Sequence, residues 1–157
     1  QLLFSFQPSW LLQCPVDTSV ASLPGLAASS SPALKKLSKG SSLDALAPKQ
    51  VAIAVFCISA ERCFAVQAEI MQAWGVKPVV LAQHGGGRKA DQVARQAKAL
   101  SKGAPVAIGT PNRMYRLAQE GVISFDGLEV GVLDLALNQK ERNVLTLKDT
   151  RQALFSL

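Results

Sequence analysis

The chain has 157 residues, 48% hydrophobic and 18% charged, and its 17 Lys and Arg outnumber 11 Asp and Glu for a net charge of +6. That is room for one domain with an apolar core plus a tail, and no apolar run approaches the ~20 residues of a membrane helix, so a soluble protein is expected. The three cysteines form no Cys-x-x-Cys pair, and the single histidine, His84, has no second imidazole or cysteine near it in sequence, which argues against zinc and for a reducing compartment.

Residues 1–47 differ from the rest. The first residue is Gln1 rather than Met, so a processed chain or a fragment of a longer one is expected. LLFSF and WLL are apolar islands, after which ASLPGLAASSSPALKKLSKGSSLDALAPK is rich in Ser, Ala, Pro and Gly, with only Asp17 and Asp44 acidic before residue 48. Such a composition buries little surface and reads as a disordered arm or linker. An organellar transit peptide is the alternative, being Ser-rich and acid-poor in the same way, but it should carry arginine and none precedes Arg62.

From Pro48 the pattern becomes regular. Val51 to Ile58 is a continuous apolar strand, and Glu61 to Trp74 a helix with Cys63, Val66, Ile70 and Trp74 on one side and Phe64, Ala68 and Met71 adjoining, a stripe wide enough to pack on a sheet. Gly75 ends it. Pro78 to Ala82 is a second strand, His84-Gly85-Gly86-Gly87 a loop, and Arg88 to Ser101 a second helix with Val93, Ala97 and Leu100 facing inward and Arg88, Arg95, Lys98 and Lys102 opposite. Val106 to Ile108 is a third strand. Thr110 and Pro111 start a third helix, in which Thr110 is expected to cap the first amides and Met114, Leu117 and Ala118 to face the core until Gly121. Leu128 to Leu133 is a fourth strand and Arg142 to Leu157 a last helix. Strand and helix alternating through short connections predict an α/β fold of three layers around a parallel sheet over residues 48–157, with right-handed crossovers.

In such sheets ligands gather where strands end and helices begin. Val106 to Arg113, VAIGTPNR, is one of these junctions: a strand running into a helix N-terminus with Arg113 in the first turn, able to hold a phosphate on free amides and partial positive charge. From these residues alone a plain well-capped junction is the preferred reading. Eight Lys or Arg and one acid, Asp91, lie between Lys77 and Arg116, a concentrated basic stretch that suits nucleic acid before membrane, with an ordinary solvated basic face as an equal alternative on charge alone.

The spacing of four segments resembles the first RecA-like domain of DEAD-box RNA helicases. AERCFAVQ is similar to their PTRELAxQ segment through Arg62, Ala65 and Gln67; Gly85 and Gly86 stand at the glycine doublet; GTPNR matches GTPGR with Asn112 for glycine; VLDLAL occupies the place of VLDEAD. The resemblance covers the chain from about Pro48 onward and implies a truncated RecA-like, P-loop NTPase-like domain. The ATP machinery departs from the pattern. No GK[ST] phosphate loop occurs, LSKGSS having the letters in another order, and Asp134 is followed by Leu135 where the helicases carry the glutamate that orients water. Losing both would cost many powers of ten in rate, so no enzymatic activity, cofactor or small-molecule substrate is expected, and Asp134 is expected to cap a strand end rather than hold a metal.

A helicase-like domain of this kind resembles the Cms-one family, degenerate DEAD-box-like subunits of the 90S pre-ribosome, or small-subunit processome. GTPNR, the lone Asp134, Asn138-Gln139-Lys140, Arg142 and the segment Asp149-Thr150-Arg151 agree with that family's plan, whereas HGGG stands where the family has a bulkier, more basic loop. The resemblance implies a non-enzymatic ribosome biogenesis factor of the nucleus and nucleolus (an organelle matrix if residues 1–47 are a transit peptide), whose partners are pre-ribosomal RNA and processome proteins and not a membrane. Thr110, Asn112 and Arg113 would then hold RNA phosphates, with Arg62, Gly85, Gly86 and Arg88 beside them, and replacing Arg113 by glutamate would lower RNA association without unfolding the domain. An ATP-dependent helicase fragment and a scaffold that binds protein alone are the competing readings.

Overall fold

A computed structural model describes residue 36, residues 46–83 and residues 89–157, the side chains of residues 89 and 90 excepted. From residue 46 onward, among the described residues, four strands, β1 (Val51–Phe56), β2 (Val79–Leu81), β3 (Ala104–Gly109) and β4 (Val130–Leu133), alternate with four helices, α1 (Ala60–Trp74), α2 (Lys89–Ala99), α3 (Pro111–Gln119) and α4 (Lys148–Phe155). The strands form one sheet in the order β2-β3-β1-β4, and every pairing is parallel. β1 is central, with Ile53 opposite both Val106 of β3 and Val130 of β4. A strand hydrogen-bonded on both edges and covered on both faces needs apolar side chains throughout, and all six residues of VAIAVF are buried.

The two faces have separate cores. Ile53, Val55, Val106, Ile108, Val130 and Val132 pack with Cys63, Val66, Ile70 and Trp74 of α1, four residues at helical spacing and the buried set of that helix. On the opposite face Ala54, Phe56, Leu81 and Ala107 meet Leu100 at the end of α2, Met114 and Leu117 of α3 and Leu154 of α4. The expected α/β fold of three layers is therefore present. The connection from β1 to β2 crosses the sheet in one direction with α1 on one face. Those from β2 to β3 and β3 to β4 cross back with α2 and α3 on the other, so all three share one hand.

Three local outcomes differ from the sequence reading. Leu46 and Ala47, assigned there to the linker, belong to the domain: Leu46 packs on the α1-side core, and the turn after it is tied down by Lys49 N–H to Leu100 O (2.8 Å) and Ala104 N–H to Gln50 O (2.9 Å). Phe64 and Met71, which widened the apolar stripe of α1, are 38% and 43% exposed. The last helix begins at Lys148, not Arg142. Before it, Asn143 Oδ1 accepts from the amides of Leu145 (3.0 Å) and Thr146 (3.2 Å), and Asn138 Oδ1 from those of Lys140 (2.9 Å) and Arg142 (3.1 Å). Side-chain oxygens here satisfy the amides that a helical turn would need.

Candidate nucleic-acid interface

β1 and β3 are neighbours, yet their following helices leave for opposite faces of the sheet. That divergence makes a crevice at the carboxyl edge, the place where open α/β sheets bind ligands. A cavity of about 310 Å³ lies there, lined by Ala60 at the start of α1, Gln83 beyond β2, and Thr110, Asn112, Arg113 and Arg116 of the α3 junction. Gly109 brings β3 into it: a Cβ at this position would stand 2.8 Å from Leu81 O and 3.0 Å from Met114 Cγ, so the tight passage from strand to helix excludes any side chain.

Thr110 occupies the N-cap of α3 with an extended backbone and Pro111 follows as expected, but the threonine hydroxyl makes no capping hydrogen bond. Met114 N–H donates to Thr110 O (3.0 Å), and among the described residues the amides of Asn112 and Arg113, at the positive end of the helix dipole, have no partner. Asn112 is exposed, and its amide side chain has no partner among the described residues.

Arg113 is placed differently from the surface phosphate contact that the sequence suggests. It is only 8% exposed. Nε and Nη2 both donate to Gln96 Oε1 of α2 (3.2 and 2.7 Å), and Gln96 Nε2 in turn donates to Ala82 O (3.2 Å). One chain of hydrogen bonds thus links α3, α2 and the end of β2. No carboxylate pairs with Arg113 among the described residues; burial, and then Arg116, push its guanidinium below its ordinary pKa. Substitution by glutamate would bury a carboxylate against Gln96 Oε1 and so destabilise the domain, unlike the fold-neutral change that the sequence suggests.

Arg62 stands on the other side of the first turn of α1. Nε and Nη2 grip Asp134 at the end of β4 (2.7 and 3.2 Å), and Nη1 reaches Glu69 (3.3 Å). The hydrogen bond to Asp134 raises the pKa of the guanidinium, against the effect of burial. Asp134, itself 8% exposed, also accepts from Ala136 N–H (3.3 Å). Its carboxylate is thereby committed to an arginine and to the turn leaving the strand. Ser59 caps α1 through Arg62 N–H (3.1 Å), a cap that a helix start at Glu61 overlooks.

The structure thus brings Thr110, Asn112 and Arg113 together and places Arg62 apart from them, joined to acids. Gly85, Gly86 and Arg88 lie outside the described residues. Gln96 was overlooked, although the pattern held a signal: with Val93, Ala97 and Leu100 facing inward, position 96 falls on the same stripe, and a polar residue there needs a buried partner. No group of His, Cys, Asp and Glu able to hold a metal ion is present among the described residues, and no helix among them is long and apolar enough to cross a membrane. No protein-family model matches the chain, and no curated protein matches it.

Proposed function

We propose that the protein binds the RNA backbone at the N-terminus of α3 and acts without ATP turnover, as a ribosome biogenesis factor of the small-subunit processome resembling the Cms-one family. The observation that carries the RNA part is Arg113: a buried cation with no carboxylate partner among the described residues, on the wall of a cavity that the uncapped start of α3 also lines. A phosphate supplies the missing negative charge and the missing acceptors together. The absence of turnover rests on Asp134, whose oxygens are engaged by Arg62 and Ala136, and on Leu135 where a water-orienting acid would be needed. In this reading Arg62 positions the first turn of α1 rather than touching phosphate. Pre-ribosomal RNA, processome proteins and a nucleolar location follow from the resemblance of the four sequence segments.

Asn112→Glu is the decisive variant. The side chain is exposed, and an acid in the first turn favours a helix, so the fold is kept while a phosphate is repelled. Fluorescence anisotropy with a single-stranded RNA decamer should show about tenfold weaker binding, roughly 1.4 kcal/mol, with unchanged thermal unfolding. Two phosphate contacts would give a salt slope near −1.4, about −0.7 each. Equal affinity of variant and native protein across the salt series would refute the site.

A further inference from the structure

A second and larger cavity, about 700 Å³, opens on the same carboxyl edge beyond β1 and β4. The two cavities flank the first turn of α1: Ala60 lines the smaller, and Ser59, Glu61 and Arg62 line the larger. Its apolar wall is Ile58, Ala65 and Leu147, and the segment Ala136–Lys140 with Arg142 forms the facing side. Lys140 and Arg142 are exposed and have no acid partner among the described residues. Arg62 is neutralised by Asp134 and Glu69, and Glu61 is the acid among the residues that line the cavity.

The loop that carries the cations is built rather than loose. Asn138 Oδ1 accepts from the amides of Lys140 and Arg142, Asn138 N–H donates to Arg142 O (2.9 Å), and Glu141 takes the left-handed backbone (φ 54°) that closes the turn. An apolar wall accepts the flat face of a nucleobase, side-chain amides such as that of Gln139 pair with its edge, and unpaired cations take its phosphate.

We propose that this cavity is a second nucleotide subsite, which receives one unstacked base of a single-stranded RNA while Lys140 and Arg142 hold the adjoining phosphate. The inference rests on the α3 terminus being the first backbone contact. β3 and β4 lie on either side of β1, two inter-strand spacings or about 10 Å apart, a span that a few nucleotides of single-stranded RNA cover. One strand can therefore reach both cavities. A duplex cannot, because its bases are stacked and, in the A-form, their major-groove edges lie too deep.

The test measures anisotropy for four ligands: a single-stranded RNA decamer, the same sequence as a duplex, the decamer with abasic positions, and AMP as competitor. The native chain is compared with Lys140→Glu/Arg142→Glu, its charge-neutral counterpart Lys140→Gln/Arg142→Gln, and Asn112→Glu, each checked by thermal unfolding. Expected are at least tenfold preference for single strand over duplex, about tenfold loss on removing bases or reversing the two charges, a smaller loss for the neutral pair, and no competition by millimolar AMP. Native affinity in both Lys140/Arg142 variants with weakened binding in Asn112→Glu would overturn the subsite and leave the first contact standing. Weakened binding in those variants with native affinity in Asn112→Glu would overturn the shared track and this proposal with it. An abasic decamer that binds as tightly as the intact one, or AMP displacing the decamer, would refute the base pocket.

Discussion

At Arg113 the fork of guanidinium donors meets a single acceptor, Gln96 Oε1, and Gln96 passes the bond on to the main chain at Ala82. Hydrogen bonds to a charged group contribute about 1.5–3 kcal/mol, and a buried donor left without a partner costs about as much. Gln96→Ala should therefore destabilise the domain by about 2 kcal/mol in urea unfolding. Arg113→Ala should cost a similar amount, and the double variant should show a coupling of roughly 1–2 kcal/mol. A surface arginine would give a coupling near zero, so the cycle distinguishes the buried strut from an exposed phosphate contact. Sequence spacing alone could place Arg113 in the first turn of a helix but not decide its depth. A position three residues inside a helix can turn inward or outward according to which neighbour offers an acceptor, and Gln96 lies seventeen residues away.

At the level of elements, two glycines show different reasons for the same residue. Gly75 ends α1 with φ 65° and nothing near a would-be Cβ, so its requirement is conformational only. Gly109 has no positive φ, and its requirement is contact: Leu81 O lies where a Cβ would go. Gly75→Ala should cost about 1 kcal/mol, the penalty for left-handed backbone. Gly109→Ala should cost about 1–3 kcal/mol, the range for forcing atoms into a packed interior, and should also displace α3 and so weaken RNA binding. Thermal unfolding paired with anisotropy would show both variants destabilised and only Gly109→Ala impaired in binding. The strands and the first three helices were legible because apolar period and punctuation agree, as in VAIAVF, in Cys63–Val66–Ile70–Trp74 and in Thr110-Pro111. The segment from Asn138 to Leu147 was not. Leu147 stands seven residues before Leu154, a helical interval that invites extending the last helix backward, while the asparagines that break it act through side-chain bonds to particular amides, which a hydrophobic period does not encode.

Taken as a whole, the molecule depends on β1, which belongs to both cores, and its exit at Cys57 joins the sheet to α1. Cys57 and Cys63 are both fully buried free thiols. The neighbouring Cys63 thiol, and then burial, push the Cys57 thiol above its ordinary range. Folding therefore keeps Cys57 protonated at pH values where the unfolded chain, with a thiol near pH 8.5, releases its proton. The sign follows: above about pH 8.5 the unfolded state binds fewer protons than the folded one, so stability falls as pH rises, while below that value the thiol contributes no slope. Urea unfolding between pH 7 and pH 10 should show this decline in the native chain and less of it in Cys57→Ala, whose cavity lowers stability by a similar amount at every pH. The same burial controls reactivity, because only an accessible thiolate is alkylated. With peptides resolved by mass so that Cys14 is scored separately, Cys57 and Cys63 should be labelled in step with each other. Their labelling should follow the urea transition seen by circular dichroism, since the two residues sit in one core and become accessible only when β1 and α1 separate. Rapid labelling of either thiol in the absence of urea would mean that α1 opens from the sheet locally. In that case the first turn of α1, and with it the wall shared by the two cavities, could not act as a rigid part of the proposed RNA-binding edge.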